Sequence, residues 1–364
     1  MLFTYTYVPH AMEKMQAFMD FIFFEVWCKA PTAEYDICLF EPSPPLHQII
    51  SELYKRDLSG ELKEGAGKWF YESVNAIFNE FSQLNANEID EYRQHFEANN
   101  QIEELCENNG KLAPIQYENL NPSKRVLNKQ LADFFAKIYP SGFFDLSFVK
   151  RALGSDLGKY YVDFVRVNDA GCCPFCGLLP IDNEFDPTRE AFDHYLPKSK
   201  YPFNSVNLRN LSPSCNKCNS GNKRDKDPLH DADGNRRVAF YPFSKTAGGF
   251  EFSVIILSNN WTNPTPEDIS VSISSKSHSN EINAWDDLFR IKDRYVARCC
   301  DTSGGIYWRQ RIIEESKNYG LTIEGMLDAE IKSAEAAPWV ESNFLRKAFL
   351  EGCQKAGLFD DLAY

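Results

Sequence analysis

FDHYLPKSKYP (residues 192–202) and NLSPSCNKCNSGNK (residues 210–223) are the two stretches whose joint reading decides the fold. In the first, Asp193 directly precedes His194, Pro197 ends the run, and Lys198 and Lys200 crowd its exit. Taken alone, this is a surface Asp and His beside a turn. The second stretch holds Cys215 and Cys218, and a matching pair, Cys173 and Cys176, lies upstream in CPFCG, with 38 residues between the pairs. Each pair offers two thiolates from one tight turn, and four thiolates satisfy a tetrahedral zinc. Between about Gly171 and Pro242 the chain is dense in Pro, Gly, Asn and Cys. Such a loop-rich segment needs folding free energy from something other than a large core, and zinc supplies it. A closed four-cysteine site keeps no open position, so this zinc is expected to be structural. Cys172 adjoins the first pair and is an alternative ligand.

In chain order, the leading Cys pair, Asp193-His194, Asn210-Leu211, the second Cys pair, Asn219 and Lys223 resemble the HNH endonuclease family, a branch of the ββα-metal nucleases. The likeness covers about residues 171–228. It implies an α+β fold, a mainly helical protein with a central zinc-stabilised ββα-metal core. It also implies roles. His194 is the general base, Asp193 and Asn219 bind one divalent cation through oxygen, and Asn210 braces the loop that orients the histidine. Phosphodiester hydrolysis requires a water nucleophile, a base to deprotonate it and a cation to stabilise the developing charge. A neutral histidine suits the first task near pH 7, and hard oxygen donors suit magnesium or manganese.

A helix beginning near Ser214 would put Cys215, Cys218, Asn219 and Asn222 on one face, with Lys223 a turn beyond Asn219. Zinc would then anchor the helix start and support the site from outside its first ligand shell. Lys198, Lys200, Arg209, Lys217, Lys223, Arg224 and Lys226 are the candidate phosphate contacts. His10, His47, His95, His230 and His278 have no comparable frame and read as structural or surface residues.

The net charge of −13 is unevenly spread. Residues 1–150 carry 13 basic and 22 acidic side chains, whereas Lys198 to Lys226 carries seven basic and one acidic. Acidic flanks repel nucleic acid and argue against non-specific coating, but a confined basic island attracts it. DNA is the expected substrate, with RNA open. Eleven cysteines in a chain of 364 residues, four of them in two-spacer pairs, argue for metal rather than a disulfide scaffold. The opening MLFTYTYVPHAMEK lacks the basic start and apolar core of a secretion signal, and AFMDFIFFEVW is broken by Asp20 and Glu25. A reducing, cytoplasmic compartment without membrane association is the expectation.

Three regions follow: a mainly helical part (1–150), the zinc-bearing nuclease part (151–245), and a C-terminal part of strands and helices (246–364). KWFYESVNAIFNEF predicts a helix burying Trp69, Phe70, Val74, Ile77, Phe78 and Phe81. SKRVLNKQLADFFAKIY predicts another, burying Val126, Leu127, Leu131, Phe134, Phe135 and Ile138 behind a Ser123 cap. PTAEYDICLFEPSPP suggests a short strand, FEFSVIIL and DISVSISS read as strands, and EINAWDDLFRIKDRYVARC reads as helix. The segment AWDDLFRIKDRY resembles one found in bacterial HNH proteins of anti-phage systems of the Septu type, which implies an ATPase partner. The competing expectation is a zinc-stabilised scaffold or adaptor with an inactive or partner-gated core.

Overall fold

The structure, a computed structural model, describes residues 1–169, 171–245, 248–258, 261 and 263–360. Helical periodicity in the first region is satisfied by burial of aromatic faces. Helices Lys14–Phe21, Pro44–Leu58, Ala66–Phe81, Ala86–Asn100 and Arg125–Lys137 close around them. Phe70 stacks on Phe143 at 3.9 Å between ring centroids, and Phe23 on Phe96 at 4.1 Å. Trp27 is fully buried, and its indole N–H donates to the Val74 carbonyl at 3.0 Å, satisfying its one polar atom.

Three local expectations are corrected here. Val126 faces solvent at 58% exposure, because the buried stripe of its helix runs through Leu127, Leu131, Phe134 and Phe135. Ser123 does not cap that helix; its hydroxyl donates to Asn121 Oδ1, and the helix starts at Arg125. The expected strand in residues 31–45 is a short 3-10 turn, Ile37–Phe40, whose Asp36 carboxylate accepts the Cys38 amide at 2.7 Å. That Asp capping competes with strand pairing.

In the central region β1 (Phe192–His194) pairs antiparallel with β2 (Leu211–Pro213), setting Asp193 opposite Ser212 and His194 opposite Leu211. A short helical segment, Lys217–Lys223, follows. Beyond it, β3 (Glu251–Ile256) and β4 (Ile269–Ser274) form the second antiparallel hairpin. The alternation in β4 is realised, with Ile269, Val271 and Ile273 buried and the serines between them exposed. Helix Asn343–Lys355 lies on β3 so closely that a Cβ on Gly352 would sit 2.3 Å from the Val254 carbonyl oxygen. The run from Asn280 is two helices, Ser279–Phe289 and Ile291–Cys300, parted at Arg290, whose φ is +52°. The break is held by the Arg290 guanidinium on Asp293 and by Asp286 Oδ1 accepting the Lys292 amide.

The fold is therefore α+β, mainly helical, with two small antiparallel hairpins. One hydrophobic cluster runs from Met1 to Phe359 through all three regions of the sequence. The N-terminal residues stitch it together: the Leu2 amide donates to the Pro174 carbonyl, and Tyr5 reaches the Pro242 and Pro213 carbonyls through its amide and hydroxyl. Among the described residues no helix is long and apolar enough to cross a membrane.

Candidate metal centre and the Asp193–His194 site

Cys173, Cys176, Cys215 and Cys218 are buried, and their sulfurs all lie within 4.8 Å of one another. Cys176 Sγ and Cys215 Sγ are 3.8 Å apart. That is the edge of a tetrahedron whose corners lie about 2.3 Å from its centre, the length of a zinc–thiolate bond. All cysteines are free thiols, and Cys172, although buried, stands outside the cluster. The four sulfurs form a site that can hold a zinc ion.

Both Cys pairs use the same local device. The Cys173 carbonyl accepts the Cys176 and Gly177 amides at 3.2 and 2.7 Å, and the Cys215 carbonyl accepts the Cys218 and Asn219 amides at 2.8 and 3.0 Å. Amides also point at sulfur: Leu178 N donates to Cys176 Sγ, and Cys215 N to Cys173 Sγ, each at 3.5 Å. Gly177 has φ +64°, and a Cβ there would meet Leu2 Cδ1 at 2.4 Å, so this turn requires glycine.

The segment AWDDLFRIKDRY clamps the metal centre, a role its sequence did not announce. Trp285 Nε1 donates to the Phe175 carbonyl at 2.7 Å, and the Tyr295 hydroxyl donates to the Cys176 carbonyl at 2.9 Å. Arg294 Nη1 reaches Cys218 Sγ at 3.3 Å. Burial opposes the charge on Arg294, but the Cys218 and Cys176 sulfurs outweigh it and hold its pKa above the ordinary range. Hydrogen bonds from Cys173, Cys215 and Cys218 hold Cys176 well below the usual thiol range. A cation beside the four sulfurs suits metal binding, because the ligands must be deprotonated.

The helical segment after the second pair departs from the expected helix. Lys217–Lys223 winds as a π-type turn, and Cys215 precedes it. Asn222 Nδ2 turns back onto the Lys217 carbonyl at 2.5 Å instead of sharing a face with the cysteines. Asn219 is half-buried, and its carbonyl accepts the Arg224 amide at 2.7 Å. The wide turn delivers Lys223 inward. Its ammonium is fully buried and donates to Asp193 Oδ1 at 3.1 Å and to the His194 carbonyl at 2.8 Å. Lys223 is thus not a surface phosphate contact, contrary to its sequence reading.

Successive strand residues address opposite faces, and Asp193 and His194 accordingly engage different partners. Asp193 Oδ2 is buried with no protein partner. Burial pushes the Asp193 carboxyl above its usual range, against the opposing pull of Lys223. His194 Nε2 lies 2.8 Å from the Ser205 carbonyl. A carbonyl only accepts, so Nε2 carries the proton and Nδ1 is left as the acceptor. Burial, then the charges of Lys198 and Lys223, press the His194 pKa down to about 3, so the ring is neutral at pH 7.

Asn210 is fully buried just before β2 and locks the loop after His194. Its Oδ1 accepts the Leu196 amide at 2.7 Å, its Nδ2 donates to the Leu196 carbonyl at 3.0 Å, and its carbonyl accepts the Tyr195 amide at 2.9 Å. The remaining basic candidates separate by exposure. Lys217, Arg209 and Arg224 are exposed, with the Arg209 guanidinium 4.2 Å from the Tyr7 ring centroid. Lys198 and Lys200 are half-buried. Lys226 donates to the Asp287 carbonyl at 2.6 Å and is tied to the metal-clamping helix pair.

One side chain beside His194 escaped the sequence reading. Tyr139, from the N-terminal helical region, packs edge-on to the His194 ring at 4.9 Å. Upstream of the strand, the exposed Arg189 places its guanidinium 5.8 Å from the Phe192 ring centroid. No spacing in the sequence signals Tyr139, which lies 55 residues before His194.

No family model matches the chain, and no solved structure matches it. Among curated proteins, a 65-residue stretch is 40% identical to Protein ea31 of Escherichia phage lambda, covering 18% of this chain and 20% of that protein. The chain thus matches about a fifth of the length of this relative.

Proposed function

We propose that the central region is a metal-dependent HNH endonuclease that hydrolyses nucleic-acid phosphodiester bonds, DNA most of all. The observation that carries the reading is the state of His194. Its Nε2–H is committed to the Ser205 carbonyl, which leaves Nδ1 as the acceptor, and Asn210 fixes the loop that follows it. His194 Nδ1 would take the proton from the attacking water. Two strands followed by a helical turn, with Asp193-His194 on the first strand and Asn219 on the turn, match the order of a ββα-metal core.

Asp193 Oδ2, buried without a protein partner, fits a hard divalent cation, with the Asn219 amide oxygen as a second donor. Magnesium or manganese bound there would stabilise charge developing on the phosphate and the leaving oxygen. The zinc centre holds the strand and the turn in register. The acidic flanks favour a partner, such as an ATPase, that delivers substrate or controls access. A role in anti-phage defence draws on the likeness of AWDDLFRIKDRY alone.

A second reading, a zinc-stabilised scaffold, draws on one observation: Lys223 already neutralises Asp193 from within the fold. Cleavage of supercoiled plasmid and single-stranded DNA with magnesium or manganese decides between the two. The nuclease reading expects cleavage that His194→Ala and a chelator each abolish. Folded, zinc-loaded wild type that leaves both substrates intact, alone and with its partner ATPase, favours the scaffold.

A further inference from the structure

Ser205, whose carbonyl accepts His194 Nε2–H, lies in the loop between β1 and β2, and the N-terminal helical region holds that loop. Asn99, near the end of helix Ala86–Asn100, is fully buried. Its Nδ2 donates to the Pro202 carbonyl at 3.2 Å and to the Ile115 carbonyl at 2.9 Å, and its Oδ1 accepts the Ile115 amide at 3.0 Å. Its backbone carbonyl accepts Asn204 Nδ2 at 3.0 Å. Asn204 is fully buried as well, and its Oδ1 accepts Asn210 Nδ2 at 3.2 Å. A chain of amides thus runs from Asn99 through Asn204 to Asn210. Ser205 follows Asn204 directly, in a turn closed by the Asn207 amide on the Asn204 carbonyl at 3.2 Å. Beside it Asn207 Nδ2 donates to Asn100 Oδ1 at 2.9 Å. Between Pro202 and Asn204, Phe203 has φ +80°, a conformation costly for a bulky side chain. Burial holds it there, with its ring against Phe23, Phe96 and Phe135 of the helical region at 5.4, 5.2 and 5.4 Å. Such strain persists only where the surroundings over-determine the backbone.

We propose that Asn99 and Asn204 are positioning residues of the His194 site, through which the N-terminal helical region sets the imidazole with Nε2 protonated and Nδ1 as the acceptor. What that setting serves rests on the phosphodiester reading of the site. The tautomer of an imidazole follows from the hydrogen bond that its other nitrogen makes. For His194 the Ser205 carbonyl makes that choice, so whatever fixes this carbonyl fixes the base. Asn210 braces the chain directly after His194, whereas Asn99 and Asn204 hold the segment that supplies the acceptor. Buried amides have no water to fall back on, so removing one member of the chain leaves its partners unmatched and lets the turn relax. The helical region is then part of the site rather than a separate module, and Tyr139 of the same region adds its ring against the imidazole at 4.9 Å.

The test reads the ring nitrogens of His194 by long-range proton–nitrogen NMR on the full-length, zinc-loaded protein, whose six histidines are few enough to resolve. The His194 signals are those lost in His194→Gln. Wild type is expected to show Nε2–H alone. Asn99→Ala and Asn204→Ala are each expected to show a mixture of the two tautomers. Asn100→Ala, which removes the milder tie to Asn207, is expected to shift the same signals less and serves where the other two do not fold. Asn128→Ala is the control, a helical-region amide whose partners are Tyr92 and the Asn121 carbonyl. Plasmid cleavage by Asn99→Ala is expected to fall in kcat by about 10²-fold with KM held, the cost of a misplaced base. His194 signals in folded Asn99→Ala, Asn204→Ala and Asn100→Ala that match those of Asn128→Ala overturn the inference. Shifted tautomers without cleavage by wild type support the positioning and remove the nuclease reading. Cleavage by wild type with tautomers indifferent to all three substitutions does the reverse, and a wild-type ring with its proton on Nδ1 overturns both.

Discussion

Lys223 Nζ lies 3.1 Å from Asp193 Oδ1, with both side chains withdrawn from solvent, and the same ammonium caps the His194 carbonyl at 2.8 Å. One lysine thus joins the strand bearing the Asp-His pair to the turn that follows the second Cys pair. A buried ion pair adds little net stability over an apolar pair, but breaking it by removing one partner is costly.

Lys223→Met is accordingly expected to destabilise the protein by roughly 3–5 kcal/mol, the cost of leaving Asp193 buried and unpaired. Lys223→Met with Asp193→Leu should recover most of that loss. Urea unfolding of the two variants checks this. A single variant within ~1 kcal/mol of wild type would mean that Asp193 is reached by water or is already protonated.

One zinc per chain is expected by elemental analysis of the purified protein. Cys173→Ser or Cys215→Ser should remove it, and the 171–228 segment should become the first site of proteolysis, as expected of a loop-rich segment that loses a structural metal. Arg294→Ala should retain zinc but release it faster to a chelator, because it removes the cation that touches Cys218 Sγ at 3.3 Å. Equal release rates would remove Arg294 from the metal's support.

Asn210→Asp preserves size while replacing the donor that serves the Leu196 carbonyl with a second acceptor. A buried charge facing a carbonyl is costly, about 2–4 kcal/mol by comparison with other buried unsatisfied polar groups. Thermal unfolding should register that loss. Any cleavage activity should fall with it, because the loop carrying Tyr195 and Leu196 loses its brace. An Asn210→Asp protein with wild-type stability would sink the bracing role.

Asp227 supplies a pH dependence. Burial pushes its carboxyl up, but hydrogen bonds from His230, Tyr201 and the Leu229 amide outweigh it, so its pKa lies below the usual Asp value. The unfolded chain therefore binds this proton more tightly than the folded one. The stabilisation is full above the unfolded value of about 3.9 and is lost as pH falls through the folded value. Asp227→Asn should be less stable at neutral pH and lose less on acidification than wild type. Urea midpoints between neutral and acidic pH compare the two slopes, and equal slopes would exclude Asp227 as the source.

The candidate site was legible only in part. The four cysteines were readable because two-spacer pairs are a local pattern, and the β3–β4 hairpin because alternation is local too. Lys223 was misread as a surface cation, since a charged side chain near other charges gives no sign that a π-type turn will carry it inside. Val126 was misplaced because the burial stripe of its helix is set by what packs against it.

By itself, the sequence determined the four-cysteine set that can hold a metal, the aromatic stripes of the helical region, and the order of Asp193-His194, Asn210 and Asn219 along the chain, all properties of spacing. Only the tertiary structure decided that Tyr139 stands beside His194, that Arg294 reaches Cys218, and that Lys223 pairs with Asp193. Those contacts join residues 30 to 76 positions apart. Such pairings are fixed by the packing of one continuous core, and no local pattern encodes which distant side chain that packing brings to a site.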